Sequence, residues 1–207
     1  MKKLLHIIAT PREEESRTLE IANAFFEGFT PSHSDWVIDE LNLFKEELPP
    51  LTMKRVDGKY QLLAGKDLYG ELKEGWEEII QHIERFLSAS LYVISTPMWN
   101  FTIPYLLKQY IDIIVQPRYL FRYTKSGVEG LAKEKKMVVL ASFGGTYTTQ
   151  ATEVQNFHEP YLRTIFGFVG ITDIDFVIAQ GVDMGKEQET KSVAEARESA
   201  KKIASEL

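Results

Sequence analysis

The chain has 207 residues, 44% of them hydrophobic, which suits one globular domain spanning residues 1–207 with a substantial core. Its 24 basic and 30 acidic residues give a formal net charge of −6 with no dense basic run, which argues against a nucleic-acid partner. Cysteine is absent, so disulfides, thiolate nucleophiles and zinc–thiolate sites are excluded; His6, His33, His82 and His158 are too scattered to suggest a metal site.

The first apolar run, Lys3–Ala9, reads as a buried strand and not as a secretion signal: it is short, contains His6 and precedes a Glu-rich segment. No run approaches transmembrane length, so the expectation is a soluble, cytoplasmic protein with no membrane partner. Residues Thr10 to Thr18 come next and admit two readings. In one, Thr10 is a helix N-cap, Pro11 the first helical residue and Glu13 the closing member of a capping box. In the other, residues 10–17 wrap an anion and the helix starts near Ser16, its amino end facing a phosphate. The apolar stripe Leu19, Ala22, Phe25, Phe26, Phe29 begins only at Leu19. A helix starting at Pro11 would therefore have two polar turns with nothing to bury, and the anion loop is favoured. Glu13, Glu14 and Glu15 must then face solvent, with Arg12 or Arg17 offsetting their charge.

Further strands are expected at Trp36–Leu41, Leu91–Ser95, Met137–Ser142 and Ile174–Ala179. Helical patterns fall at about Ser16–Phe29, Leu68–Leu87, Ile103–Val115, Val154–Val169 and Lys186–Leu207. The stretch from Pro49 to Gly65 has weak periodicity and reads as a long loop, functional or poorly ordered. Arg118-Tyr119-Leu120-Phe121-Arg122-Tyr123 suits either ordinary packing or a self-association surface. Five strands alternating with five helices predict an α/β fold: a five-stranded parallel sheet with helices on both faces, in flavodoxin-like order.

Such sheets bind ligands at the carboxyl ends of their strands. Pro97-Met98-Trp99-Asn100-Phe101 leaves the third strand there, offering aromatic and apolar surface plus one amide that both donates and accepts hydrogen bonds. Ser142-Phe143-Gly144-Gly145 leaves the fourth, its paired glycines permitting close backbone approach. Hydroxyls for a phosphate, aromatic surface for a ring and backbone groups for a polar edge match flavin mononucleotide (FMN). The G-x-G-x-x-G fingerprint of a dinucleotide site is missing.

The chain resembles the FMN-dependent NADH:azo-compound and quinone oxidoreductases, the homodimeric bacterial azoreductases. The resemblance is carried by Pro-Met-Trp-Asn-Phe at 97–101, Phe-Arg-Tyr-Thr at 121–124, Gly-Val-Glu-Gly-Leu at 127–131 and Ser-Phe-Gly-Gly at 142–145. Tyr161-Leu162-Arg163 and the run Gly167 to Asp173 add to it. It implies one non-covalent FMN per subunit, with Thr10, Ser16, Arg17 and Thr18 at the phosphate. Met98, Trp99, Asn100 and Phe101 fall beside the flavin ring, and Ser142 to Gly145 at its polar edge. It also implies NADH or NADPH as donor, a quinone or azo compound as acceptor, ping-pong kinetics and a homodimer. The family's glycine loop often reads Ser-Arg-Gly-Gly, so Phe143 predicts an uncharged, apolar pocket rim that favours neutral quinones over anionic dyes. No protein acid or base is nominated as catalytic. The alternative is a flavodoxin-like electron carrier with no small-molecule substrate of its own.

Overall fold

The computed structural model describes residues 2–207. In chain order the elements are β1 (Lys3–Ile8), α1 (Arg17–Phe29), β2 (Val37–Asn42), α2 (Met53–Leu63) and α3 (Gly70–Leu87). Next come β3 (Leu91–Pro97), α4 (Tyr105–Ile114), β4 (Phe121–Thr124), β5 (Gly127–Gly130) and β6 (Lys136–Phe143). The last are α5 (Gln150–Glu153), α6 (His158–Phe168), β7 (Asp173–Gln180) and α7 (Lys186–Ser205). The main sheet has the order β2-β1-β3-β6-β7, and every pairing in it is parallel.

Side-chain alternation along the strands builds one core on each face. Leu5 and Ile7, Tyr92 and Ile94, and Met137 and Val139 point toward α3, α4 and α6, where Trp76, Phe86, Tyr110 and Phe166 complete the layer. Their neighbours Leu4, Val93, Val138 and Leu140 point the other way, toward Ile21 and Phe25 of α1 and the alanines Ala196, Ala200 and Ala204 of α7. All five expected strands are present. The order reverses at β1 and β3, so the loops after β1, β3 and β6 leave neighbouring strands at one edge.

Two local expectations are corrected, and a stretch left open between packing and self-association takes a definite form. The stretch read as a long loop contains α2, N-capped by Thr52. That helix buries only Gly58 and Leu62, which leaves almost no apolar stripe in its sequence. Gly58 lets it lie against Trp76: a Cβ there would come within 2.2 Å of the indole nitrogen. The expected helix over Val154–Val169 is instead the short α5 and the later-starting α6, whose first N–H groups are capped by Asn156 Oδ1. The aromatic–arginine run enters an antiparallel hairpin, β4–β5, that buries Phe121. Its arginines are engaged within the chain, Arg118 with Asp67 at 2.8 Å and Arg122 with Glu129 at 2.7 Å.

Candidate functional site

The segment after β1 settles the choice between the two helix starts. Helix α1 begins at Arg17, with Ser16 as N-cap accepting from the Leu19 N–H at 3.3 Å. Residues 11–15 are an exposed loop, pinned where the Ser16 N–H donates to the Glu13 carbonyl and the Arg12 N–H to Thr10 Oγ1. Glu13 and Glu15 are turned outward onto Lys45 and Arg12, so the glutamates do face solvent. Thr10, Ser16 and Thr18, by contrast, are each at most 5% exposed. The first helical turn leaves the N–H groups of Arg17 and Thr18 without intrahelical partners, and the helix dipole puts partial positive charge there.

The segment after β3 is a tight turn. The Trp99 N–H donates to the Thr102 carbonyl at 2.9 Å and the Thr102 N–H returns the bond at 3.0 Å. Asn100 and Phe101 between them have φ of 47° and 70°, the pattern of a two-residue turn with both central residues left-handed. Asparagine tolerates this; a phenylalanine costs about 1–2 kcal/mol. The Phe157 N–H, bonded to the Phe101 carbonyl at 3.0 Å, helps hold the strained residue. The Met98 N–H donates to the Ser142 carbonyl and ties this loop to β6.

After β6, the carbonyls of Phe143, Gly144 and Gly145 accept from the N–H groups of Val182, Asp183 and Gly181. The glycine loop is thus fixed by the segment after β7. A Cβ on Gly144 would lie 2.6 Å from Asp183 Oδ2, so a side chain there would have to displace the Asp183 carboxylate.

These segments enclose one cleft. From the first loop it takes Thr10, Ser16, Arg17 and Thr18, from the second Pro97, Met98 and Trp99, and from the third Ser142 and Gly144. Arg12, weighed in the sequence only as a counter-charge, lines it too, and Val182 and Asp183 were not foreseen. They follow a strand whose end carries no motif, so only the topology reveals them. Asn100, Phe101, Phe143 and Gly145 do not line this cleft; Trp99 and Asn100 line a neighbouring cavity of about 400 Å³.

Phe143 corrects the expected apolar rim. Its side chain is fully buried, edge-on to the His158 ring at 5.0 Å, because its side of β6 faces the core. Arg17 is also less free than its position suggests. Its Nε donates to Glu189 at 2.9 Å and its Nη1 to Asp183 at 3.4 Å, and the Glu189 carboxylate strengthens its hold on its proton. Among the described residues no cluster of potential ligands could hold a metal ion, and no helix is long and apolar enough to cross a membrane.

The sequence profile of the flavodoxin-like fold matches residues 2–204. An FMN-dependent NADH:quinone oxidoreductase of Coprothermobacter proteolyticus is 36% identical over the full length of both chains. The chain belongs to this flavodoxin-like oxidoreductase family. Another member, FMN-dependent NADH:quinone oxidoreductase 2 of Listeria monocytogenes, is 35% identical, again over the whole of both chains. Among solved structures, an azoreductase of Bacillus anthracis superposes with a TM-score of 0.91 at 28% identity, covering all of both chains. An FMN-dependent NADH-azoreductase of the same organism, solved in complex with FMN, gives 0.85 at 30% identity over 99% of this chain and all of that one. The family's flavodoxin-like architecture is the one described above, with the cleft at the carboxyl edge of its parallel sheet.

Proposed function

We propose that the protein is an FMN-dependent oxidoreductase that takes electrons from NADH or NADPH and delivers them to quinones and azo compounds. One observation carries this: three buried hydroxyls, Thr10, Ser16 and Thr18, gather at the amino end of α1 and face the same cleft as Trp99 and Gly144. That donor set fits a phosphate monoester, and the apolar bed of Pro97, Met98 and Trp99 beside it fits a flat ring. The three hydroxyls and the N–H groups of Arg17 and Thr18 would hold the phosphate. Arg12 and Arg17 add charge, Arg17 from its seat between Glu189 and Asp183. Asn100, which lines the neighbouring cavity, would form the lip, and the backbone of Ser142 and Gly144 would meet the ring's polar edge.

FMN, when bound, supplies reversible two-electron chemistry. The chain's part is to bind, orient and exclude water. No protein acid or base is assigned, since the buried imidazoles His6 and His158 do not line the cleft. The overall reaction would remove a hydride from the nicotinamide and add two electrons and two protons to the acceptor, the second proton coming from solvent. Donor and acceptor would share the cavity beside Trp99 and visit in turn, giving ping-pong kinetics. The cavity of about 400 Å³ beside Trp99 favours an enzyme over an electron carrier, which has no need of a substrate pocket.

The reading extends to one domain over the whole chain, working as a homodimer in the cytoplasm, where reduced nicotinamide is supplied. The exposed Phe101, Tyr105 and Phe157 about the Trp99 turn support a subunit contact close to the cleft. Heat release of the chromophore followed by mass measurement should yield FMN, and the purified protein should oxidise NADH with a quinone as acceptor. Bound FAD, or a flavin-loaded protein inert toward every quinone tried, would overturn the assignment.

A further inference from the structure

The cavity next to the cofactor cleft has a composition that selects its occupant. Its walls are Trp99, Ile103, Tyr105 and Tyr161, and Trp99 belongs to both spaces. Among the described residues one ionisable cation lines it, Lys108 of α4, and no carboxylate does. Lys108 Nζ lies 2.6 Å from both carboxylate oxygens of Asp112, one helical turn on, with the two side chains 48% and 43% exposed. An i,i+4 pair that open to solvent is weak, so the ammonium can turn to a better-placed anion at little cost. Tyr161 is half-buried, and burial, with a smaller push from the Asp112 carboxylate, raises its phenol to about 12, so the hydroxyl keeps its proton and can donate to a ligand.

We propose that this cavity seats the electron acceptor, and that its preferred occupant is a planar aromatic molecule bearing one anionic group, with its rings against Trp99 and Tyr161 and its anion on Lys108. A sulfonated or carboxylated azo compound or naphthoquinone has this chemistry. The inference rests on the oxidoreductase reading and adds where the acceptor sits and which charge it carries. A shared Trp99 keeps such an acceptor within one side chain of the cofactor cleft. Charge selection then resides at Lys108, not at position 143, whose side chain is sealed in the core. A neutral quinone has only the aromatic walls to bind.

The test uses the FMN-loaded protein in its oxidised form, with naphthalene-2-sulfonate, which accepts no electrons, as the binding probe in calorimetry. Lys108→Gln should weaken its binding by about tenfold, or about 1.4 kcal/mol. Asp112→Asn, which frees the ammonium, should strengthen it. In turnover, Lys108→Gln should lower the ratio of kcat/KM for a sulfonated naphthoquinone over that for menadione by a similar factor. Both variants change exposed residues, and FMN content with thermal melting checks that each is folded. Sulfonate binding indifferent to Lys108→Gln, or an unchanged ratio at low salt, overturns the inference while leaving the oxidoreductase reading intact. Failure of the wild-type holoprotein to turn over either quinone overturns both, whatever the calorimetry shows.

Discussion

Thr18 on α1 and Ser142 at the end of β6, 124 residues apart, share a hydroxyl–hydroxyl hydrogen bond of 2.7 Å. They are 1% and 8% exposed, so the bond is shielded from water and ties the amino end of α1 to the strand that carries the glycine loop. Each hydroxyl also has capacity to spare, since a hydroxyl donates once and accepts twice. Thr18→Val keeps the shape and leaves Ser142 unpaired, which should cost the apoprotein about 1–3 kcal/mol in urea unfolding. The double variant Thr18→Val/Ser142→Ala removes both partners and should lose less than the sum of the single losses. Strict additivity would show that the two hydroxyls do not depend on each other.

Ser16 separates the capping role from phosphate recognition. Aspartate caps helices as well as serine does, so Ser16→Asp should leave thermal stability almost unchanged. A carboxylate at the phosphate seat repels a dianion, and two unit charges about 4 Å apart exchange about 4 kcal/mol at an effective dielectric of about 20. FMN affinity should therefore fall by at least about a hundredfold, measured by fluorescence titration of the apoprotein. Retained affinity would make Ser16 a cap and nothing more.

The main sheet was legible because its strands alternate between two cores and read as near-continuous apolar runs, as Leu91–Ile94 and Met137–Leu140 do. The start of α1 was legible from the late start of the stripe at Leu19, and Ser16 proves to be the N-cap. Two signals were too faint: α2, which meets Trp76 through a glycine, and the β4–β5 hairpin, whose arginines and aromatics suited packing and self-association equally. Asp183 and Val182 join the cleft only through the order of the sheet. Phe143 was misread because a motif gives a residue's place in a loop and not the face of the strand from which it projects.

Gly58 gives that missed helix a measurable consequence. A methyl at position 58 would drive into the indole of Trp76, whose Nε1 donates to the Arg55 carbonyl at 3.0 Å. Overpacking of this kind costs about 1–3 kcal/mol. Gly58→Ala should therefore lower stability and alter the near-ultraviolet signal of Trp76, despite alanine's better helix propensity. A more stable variant would mean that α2 does not pack as described.

Phe143→Arg should be a folding variant and not a specificity variant. It replaces a fully buried ring beside His158 with a guanidinium that has no acidic partner there. An unpaired buried charge belongs to the most damaging class of substitution, costing about 4 kcal/mol or more. Loss of soluble protein or a sharply lowered melting temperature is expected. A folded variant of normal stability with altered dye preference would restore the rim that the sequence suggested.

The last prediction concerns acid. His6 and His158 are both buried, and burial alone pulls each imidazole down to about 3. Among the described residues His6 has one hydrogen-bond partner, Ser95 Oγ at 2.8 Å, while neither ring nitrogen of His158 has one. In the unfolded chain an imidazole titrates near its ordinary value of about 6.5. Between those two values the unfolded state binds protons that the folded state refuses. Stability is therefore complete above about pH 6.5 and falls as pH drops toward 3, by about 1.4 kcal/mol per pH unit for each histidine. The Asp39 carboxyl, held down to about 2 chiefly by its hydrogen bonds to Arg85, adds its own loss only below its ordinary value near 4. The two windows can be separated with His158→Phe, which fills the same space, leaves no orphaned nitrogen and should flatten the decline between pH 6 and 4 by about half. Urea unfolding across that range measures it, and a slope identical to that of the wild type would show that His158 is not held neutral by the core.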